Sequence, residues 1–127
     1  MAHWLVKADP DEYGFAALER DGEAVWDGVS NALARRHLGA MRAGDDCFIY
    51  ETGKVRALVG TARVVAPGDD AAAPRLAAGR RLARQVTLAE VKADREFRDF
   101  ALVRQGRLSV MPVPAPLARR LVKMAQG

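Results

Sequence analysis

The sequence contains one cysteine, two histidines and no long apolar segment. The single cysteine, Cys47, excludes an internal disulfide and provides no cluster of metal ligands. No stretch approaches the roughly 18 uncharged apolar residues of a membrane-spanning helix. Residues 1–13 lack the charged lead, apolar run and cleavage site of a secretory signal. We therefore expect a cytoplasmic protein with no membrane partner, no metal and no other cofactor.

The remaining composition is that of an ordinary folded protein. The 127 residues are the length of one domain, which we expect to span 1–127, and half of them are hydrophobic. The net charge is +4, and such a surface attracts polyanions through long-range electrostatics and counterion release. The 16 arginines outnumber the 4 lysines, a bias that genome composition explains as well as function does. The charge therefore permits a nucleic-acid partner without demonstrating one.

Short strands and helices alternate along the sequence. Patterning and turn residues predict strands at 3–7, 24–26, 46–51, 55–65 and 107–113, and part of a frayed strand within 75–84. They predict helices at 15–20, 31–42 and 87–93 and from about residue 116 onward. Helical spacing places Leu33, Leu38 and Met41 toward the core. Gly60 interrupts a predicted strand, which indicates a bend or a close backbone approach. The pattern predicts an α+β fold, a small mixed barrel with helices outside.

Three collinear segments carry a resemblance to a known family. They read WLVKADP at 4–10, WDGVSN at 26–31 followed by AR at 34–35 and MRAGD at 41–45, and LVRQGRLSVMPV at 102–113. In order and spacing they resemble EVE domains, members of the PUA-like superfamily that are related to YTH domains. The resemblance implies a PUA-like small β-barrel with short flanking helices. It also implies a pocket for a nucleobase, a modified one such as methylated cytosine in DNA, with RNA as the alternative partner.

The second motif provides a wall and a polar edge for such a pocket. Trp26 precedes a tight turn, and a base removed from its stack needs an aromatic face, worth roughly 1–3 kcal/mol. Asp27 can accept a hydrogen bond from an exocyclic amine, and Asn31 offers both a donor and an acceptor. Gly28 and Val29 lie in the turn, which exposes backbone amides. In the alternative interpretation, Trp26 fills the core and its polar neighbours only shape the turn.

Other pocket residues come from separate segments. Lys7 ends the first strand and can meet a phosphate or a base carbonyl, unless it is an ordinary surface lysine. The resemblance also assigns Tyr50 to the pocket. A stretch opposite Trp26 is expected to close it, although strand alternation assigns half of that stretch to the core. Its members are Leu108, Ser109, Val110 and Met111, with the serine as a hydroxyl partner. Phosphate contacts are expected from four basic residues, namely Arg35, Arg36, Lys54 and Arg107.

The sequence departs from the family pattern in several places. Ala8 and Asp9 stand where the family has serine and glutamate. Ser30 occupies the place of an arginine in the family pattern, and Glu51 occupies the place of a histidine. The segment between residues 65 and 86 is shorter than usual and lacks the aromatic residue that often opens the next strand. We therefore predict that an aromatic second wall from that strand is incomplete.

Two other classes of function compete with base recognition. Acid–base groups for a small enzyme are available in Asp9, Glu12 and Asp27. No glycine-rich phosphate loop accompanies them, and the sole cysteine lies in a predicted strand among apolar neighbours, where free cysteines are mostly inert. A protein-interaction module would use the arginine-rich segment 75–84. We expect instead a monomeric, non-enzymatic module that binds nucleic acid.

Overall fold

The centre of the fold is a curled sheet. The computed structural model describes residues 1–68 and 73–126, and within them six strands form one half-barrel. The strands are β1 (His3–Ala8), β2 (Glu23–Val25), β3 (Asp46–Glu51), β4 (Ala57–Ala66), β5 (Arg75–Thr87) and β6 (Val110–Val113). Their order is β2-β5-β4-β3-β1-β6, so β2 and β6 are the edges. Strands β1 and β3 run parallel, and the other neighbouring pairs run antiparallel.

Short helices flank the sheet. In the described residues they are α1 (Pro10–Tyr13), α2 (Phe15–Asp21), α3 (Ala32–Ala40), α4 (Leu88–Ala93), α5 (Ala101–Arg104) and α6 (Ala115–Met124), with a 3-10 turn at Arg95–Phe97. None of the helices in 1–68 or 73–126 is both long and apolar enough to cross a membrane. The predicted α+β, PUA-like fold with flanking helices is confirmed, with the sheet as a half-barrel.

Side chains that the sequence marks as caps begin two of these helices. The Asn31 Oδ1 accepts a hydrogen bond from the backbone N–H of Ala34 at 2.9 Å, at the start of α3. Thr87 and Glu90 form a capping box at the start of α4. Each cap satisfies backbone N–H groups that have no partner within the helix. The caps therefore fix where both helices begin, as the sequence predicts.

The hydrophobic core forms where the helices cover the sheet. Phe15 and Leu18 of α2 and Leu121 of α6 are fully buried in it. Trp4 of β1 is also buried. Burial of each large apolar side chain contributes roughly 1.5–3 kcal/mol. The sheet and its helices are thus held together mainly by these apolar contacts.

Leu33 does not join this core, and its prediction as a core residue is wrong. It is 36% exposed, whereas Ala34 and Leu38 of the same helix are buried. The two buried residues are four positions apart and therefore share one face of α3. Successive helical residues differ by about 100° in direction, so the residue before Ala34 points away from that face.

Strand β5 is longer and more regular than its sequence suggests. The sequence predicts only a frayed strand within 75–84, whereas β5 continues to Thr87. It pairs with β4 along its length and with β2 at its start, so neighbouring backbones hold it in place. Most side chains from 79 to 85 are exposed, so no apolar alternation marks this part as a strand. The predicted loop at 67–74 lies partly outside the described residues.

Gly60 allows an aromatic ring to lie directly on the sheet. A Cβ built at this position would lie 2.4–2.7 Å from three ring atoms of Phe15. Non-bonded carbons pack at about 3.5–4.0 Å, so no side chain fits unless the ring moves. The register between β4 and β5 also shifts on both sides of Gly60. The predicted close approach is confirmed, and the group that approaches the backbone is the ring of Phe15 in α2.

We expect Gly60→Ala to destabilise the protein by roughly 1–3 kcal/mol, because the ring must leave a packed position. Gly39→Ala is the matched control: Gly39 lies in α3, and apart from the adjacent residues and the backbone of its own helix, no described atom lies within 4 Å of its Cβ position. Alanine favours a helix interior by about 1 kcal/mol over glycine, so the control is expected to be slightly stabilised. Urea unfolding monitored by circular dichroism measures both changes. A Gly60→Ala protein as stable as wild type would contradict the tight contact.

Candidate nucleic-acid interface

A cavity of about 750 Å³ opens beside Trp26. It lies where the end of β1, helix α1, strand β2, the segment 26–31 and the turn at 106–109 come together. Its volume is within the range of small-ligand sites. The residues that line it are Lys7, Ala8, Asp9, Glu12, Tyr13, Ala24, Val25, Trp26, Asp27, Gly28, Val29, Ser30, Asn31, Thr52, Gly106, Arg107 and Ser109.

Trp26 lines this cavity and also belongs to the hydrophobic core. It is 8% exposed. Its backbone N–H donates to the carbonyl oxygen of Pro74 at 2.8 Å, which fixes the chain as it leaves β2. The ring of Tyr13, from α1, meets the indole edge-to-face, with centroids 6.4 Å apart and planes at 76°. Aromatic pairs favour this geometry, so the indole forms a wall held in one orientation.

The residues after Trp26 supply the polar edge of the cavity. Gly28 has a φ of 77°, in the left-handed region that glycine adopts without strain, and the chain turns here. Asp27 is exposed and presents an acceptor. The Asn31 oxygen is engaged in capping α3, so the amide nitrogen is the remaining polar group of that side chain. This edge therefore offers a ligand one carboxylate acceptor and one amide donor.

Lys7 joins the cavity to the turn on its other side. Its Nζ donates to the carbonyl oxygen of Gly106 at 2.9 Å and lies 5.7 Å from the centroid of the Tyr50 ring. Its backbone N–H donates to the carbonyl oxygen of Ser109 at 2.8 Å. Burial lowers the pKa of the Lys7 ammonium. Because an ammonium carries three N–H groups, this arrangement leaves donors for an oxygen of a ligand.

The charge of the cavity differs from that of the whole chain. Three carboxylates line it, those of Asp9, Glu12 and Asp27, against the two cations Lys7 and Arg107. The chain as a whole carries +4. Carboxylates only accept hydrogen bonds, so these walls suit a ligand edge that carries N–H donors. Within residues 1–68 and 73–126, no group of three or more histidine, cysteine or acidic side chains is arranged to hold a metal ion.

Comparison with known proteins places the chain in a family. The EVE domain model matches residues 2–124. The chain belongs to the EVE domain family. Among curated proteins, no relative matches it.

Solved structures share the fold of this EVE domain over nearly its whole length. A Rhodopseudomonas palustris protein is 33% identical, with a TM-score of 0.91, and the match covers 98% of this chain and 93% of that one. A Pseudomonas putida protein is 32% identical, with a TM-score of 0.90 and coverage of 98% and 99%. Human THYN1, crystallised with DNA that contains 5-methylcytosine, is 20% identical, with a TM-score of 0.91 and coverage of 100% and 99%. At that identity the human protein shows likeness of fold alone.

The EVE domain brings most of the pocket residues predicted from its sequence to the same cavity. Those that line it are Lys7, Trp26, Asp27, Gly28, Val29, Asn31 and Ser109, joined by the basic residue Arg107. The three other cations expected to contact phosphates are exposed but lie outside the cavity lining. They are Arg35 and Arg36 on α3 and Lys54 in the turn after β3.

Four residues predicted for the pocket lie outside the lining of this cavity. Tyr50, Leu108, Val110 and Met111 are all buried in the core and do not line the cavity. Val110 and Met111 are neighbours on β6 and point to opposite sides of the strand, and both sides are buried. Tyr50 lies in β3 near the ammonium of Lys7, so it contacts a cavity residue without reaching the cavity itself.

Nine lining residues escape prediction as site residues, and three of them, Glu12, Tyr13 and Thr52, show why. Glu12 and Tyr13 belong to α1, a single helical turn that begins after Asp9. Thr52 reaches the cavity because its backbone N–H donates to the carbonyl oxygen of Ala8 at 2.9 Å, at the end of the parallel β1–β3 pair. The parallel pairing is a long-range feature, and no local pattern indicates it. The Asp-Pro pair that starts α1 is the only local signal for this side of the cavity.

Proposed function

We propose that this EVE domain binds nucleic acid and that the cavity beside Trp26 receives one unstacked base, with 5-methylcytosine in DNA as the ligand. The observation that carries the proposal is the cavity itself, with an indole wall next to an acceptor, Asp27, and a donor, Asn31. Membership of the family and the methylcytosine DNA in the human THYN1 crystal support the choice of ligand.

Each wall of the cavity has a role in this proposal. The indole of Trp26 replaces the stacking that the base loses, worth roughly 1–3 kcal/mol. The carboxylate of Asp27 accepts a hydrogen bond from the exocyclic amine of cytosine, a pairing that is common in base recognition. The amide of Asn31 or the ammonium of Lys7 donates to the base carbonyl. A ligand held at three such points is fixed in one orientation.

The methyl group adds only a small share of the binding energy. One buried carbon contributes about 0.8 kcal/mol, or close to fourfold in affinity. Val29 and Ala24 are half-buried apolar residues of the cavity that can receive it. The phosphates of the strand lie outside the acidic cavity, near Arg107 and the exposed Arg35 and Arg36. These contacts make the affinity dependent on salt without making it selective.

The arginine-rich segment 75–84 does not favour a competing protein-interaction surface. Three of its four arginines contact carboxylates of the same chain. Arg75 contacts Glu23 at 4.0 Å, Arg81 contacts Glu19 at 2.7 Å, and Arg84 contacts Glu90. Much of the positive charge of this segment is thus balanced locally.

A titration of labelled oligonucleotides by fluorescence polarisation tests the proposed function. The panel holds single- and double-stranded DNA with cytosine or 5-methylcytosine, and RNA with and without methylated cytosine or adenine. We expect the methylated DNA to bind about fourfold more tightly than unmodified DNA. Between about 50 and 200 mM salt both affinities are expected to fall while their ratio persists. Equal affinities for methylated and unmodified strands that are lost together as salt rises would show only nonspecific attraction to polyanions. A preference for the modified base that is confined to RNA would overturn the choice of DNA.

A further inference from the structure

A second, smaller depression of about 340 Å³ lies directly beside the cavity. It is lined by Asn31, Leu33, Gln105, Gly106, Arg107 and Leu108. Three of these, Asn31, Gly106 and Arg107, also line the larger cavity. The two hollows are therefore adjacent, and the three shared residues form the boundary between them.

The walls of the depression combine apolar and amide groups. Leu33 of α3 is 36% exposed and forms one side. Leu108 is buried and forms the apolar floor. Gln105 is exposed at the end of α5, and its amide offers both donors and an acceptor. A single exposed leucine is common on protein surfaces, but here it borders a hollow that adjoins the proposed base cavity.

The turn between the two hollows is fixed by the protein. The backbone N–H of Leu108 donates to the carbonyl oxygen of Gln105 at 3.0 Å, which closes the turn around Gly106 and Arg107. Lys7 holds the same turn from β1 through its contact with the Gly106 carbonyl oxygen. Arg107 is exposed at the top of this turn. The backbone of a basic residue is thus held at the boundary between the two hollows.

We propose that the depression is a second nucleotide subsite, which takes the base adjacent to the one in the cavity while Arg107 contacts the phosphate that joins them. The proposal rests on the proposed function of the larger cavity. A strand whose bases occupy neighbouring hollows passes its linking phosphate over the boundary, and guanidinium groups suit that contact. An apolar side chain such as Leu33 contacts any base face, so this subsite adds affinity with little sequence preference.

Oligonucleotides with single abasic positions test the subsite. Each strand carries one 5-methylcytosine, and an abasic residue replaces its 5′ neighbour, its 3′ neighbour or a distant nucleotide. We expect one neighbouring abasic residue to weaken binding by about fivefold, the effect of leaving roughly 40 Å² of apolar surface in water, and the distant one to leave it unchanged. Leu33→Ser is expected to weaken binding to the intact strand to a similar extent. The same variant is expected to show no further loss with the abasic strand, since base and side chain form one contact.

Val122→Ser is the matched control for Leu33→Ser in these binding measurements. Val122 is another exposed apolar residue, 50% exposed on α6, and does not line either hollow. Independent losses from the abasic neighbour and from Leu33→Ser would overturn the subsite, as would a Leu33→Ser protein that binds like the control. If binding still depends on Trp26 in that case, the proposed base cavity remains supported and only the second subsite is overturned. If no oligonucleotide shows a modified-base preference or a dependence on Trp26, both proposals fall together.

Discussion

Replacing Trp26 with alanine is expected to weaken binding to an oligonucleotide with 5-methylcytosine by roughly 5- to 150-fold. That range corresponds to the 1–3 kcal/mol that one base gains by stacking on an aromatic side chain. The indole is the aromatic wall of the cavity, and the Tyr13 ring meets it edge-to-face rather than offering a second parallel wall. Fluorescence polarisation at one fixed salt concentration measures the loss. The preference for methylated over unmodified DNA is expected to disappear in the same variant.

The variant also removes core packing, and this effect has to be separated from binding. Trp26 is largely buried, and truncation of a buried tryptophan to alanine costs about 3–5 kcal/mol of stability. Trp26→Leu retains more apolar volume while it removes the stacking face. Trp4→Leu is the matched control, because Trp4 is equally buried but lies outside the cavity lining. If Trp4→Leu reduces affinity as much as Trp26→Leu does, lost stability explains both, and Trp26 is not a binding wall.

Local signals in the sequence predict most of the fold. Helix starts at Asn31 and Thr87 depend on side chains a few residues from the groups they cap, so short motifs reveal them. Gly60 is also informative, because a glycine within an apolar strand indicates either a bend or a close approach. Strand β5 is not visible in the same way. It is held by backbone bonds to β4 and β2, and its exposed arginines hide the strand pattern.

Site residues, too, are predictable where the signal is local and are missed where tertiary contacts bring them together. The contiguous residues from Trp26 to Asn31 reach the cavity together, so a single motif is enough to find this side of it. The resemblance marks the whole stretch that leads into β6, but both sides of this strand are buried, so Val110 and Met111 do not line the cavity. Thr52 and Tyr13 join only through tertiary contacts. A motif therefore locates a site before it shows which side chains face it.

A carboxylate remote from the cavity is expected to have a large effect on stability. Asp45 is 5% exposed and accepts hydrogen bonds from three N–H groups. They are the Trp4 indole at 3.0 Å, the Arg42 backbone at 2.9 Å and the Ala2 backbone at 3.3 Å. The carboxylate thus ties the N-terminal residues and β1 to the turn before β3. Its loss leaves the buried Trp4 indole N–H and two part-buried backbone N–H groups without this partner. A buried polar group without a partner costs roughly 1–3 kcal/mol.

We expect Asp45→Ala to lower the free energy of unfolding by about 3 kcal/mol and the melting temperature by about 10 °C. Asp45→Asn retains one side-chain oxygen and is expected to lose less. Asp46→Ala is the matched control: the neighbouring side chain is partly exposed and contacts Arg63 at 3.6 Å and His3 at 3.9 Å. Exposed ion pairs contribute little, so the control is expected to change stability by less than about 1 kcal/mol. Thermal and urea unfolding of the three variants measure these differences.

The stabilisation of the fold by the Asp45 carboxylate is expected to depend on pH. Burial alone raises the pKa of Asp45, but the hydrogen bonds from Trp4, Arg42 and Ala2 outweigh it, and the pKa is lowered overall. A pKa that is lower in the folded state means that the stabilisation is complete above the unfolded value of about 3.9 and is lost as the pH falls through the folded value. The difference in stability between wild type and Asp45→Asn is therefore expected to be constant near neutral pH and to shrink in acid. A difference that grows as the pH falls below about 4 would contradict a carboxylate held ionised by these three donors.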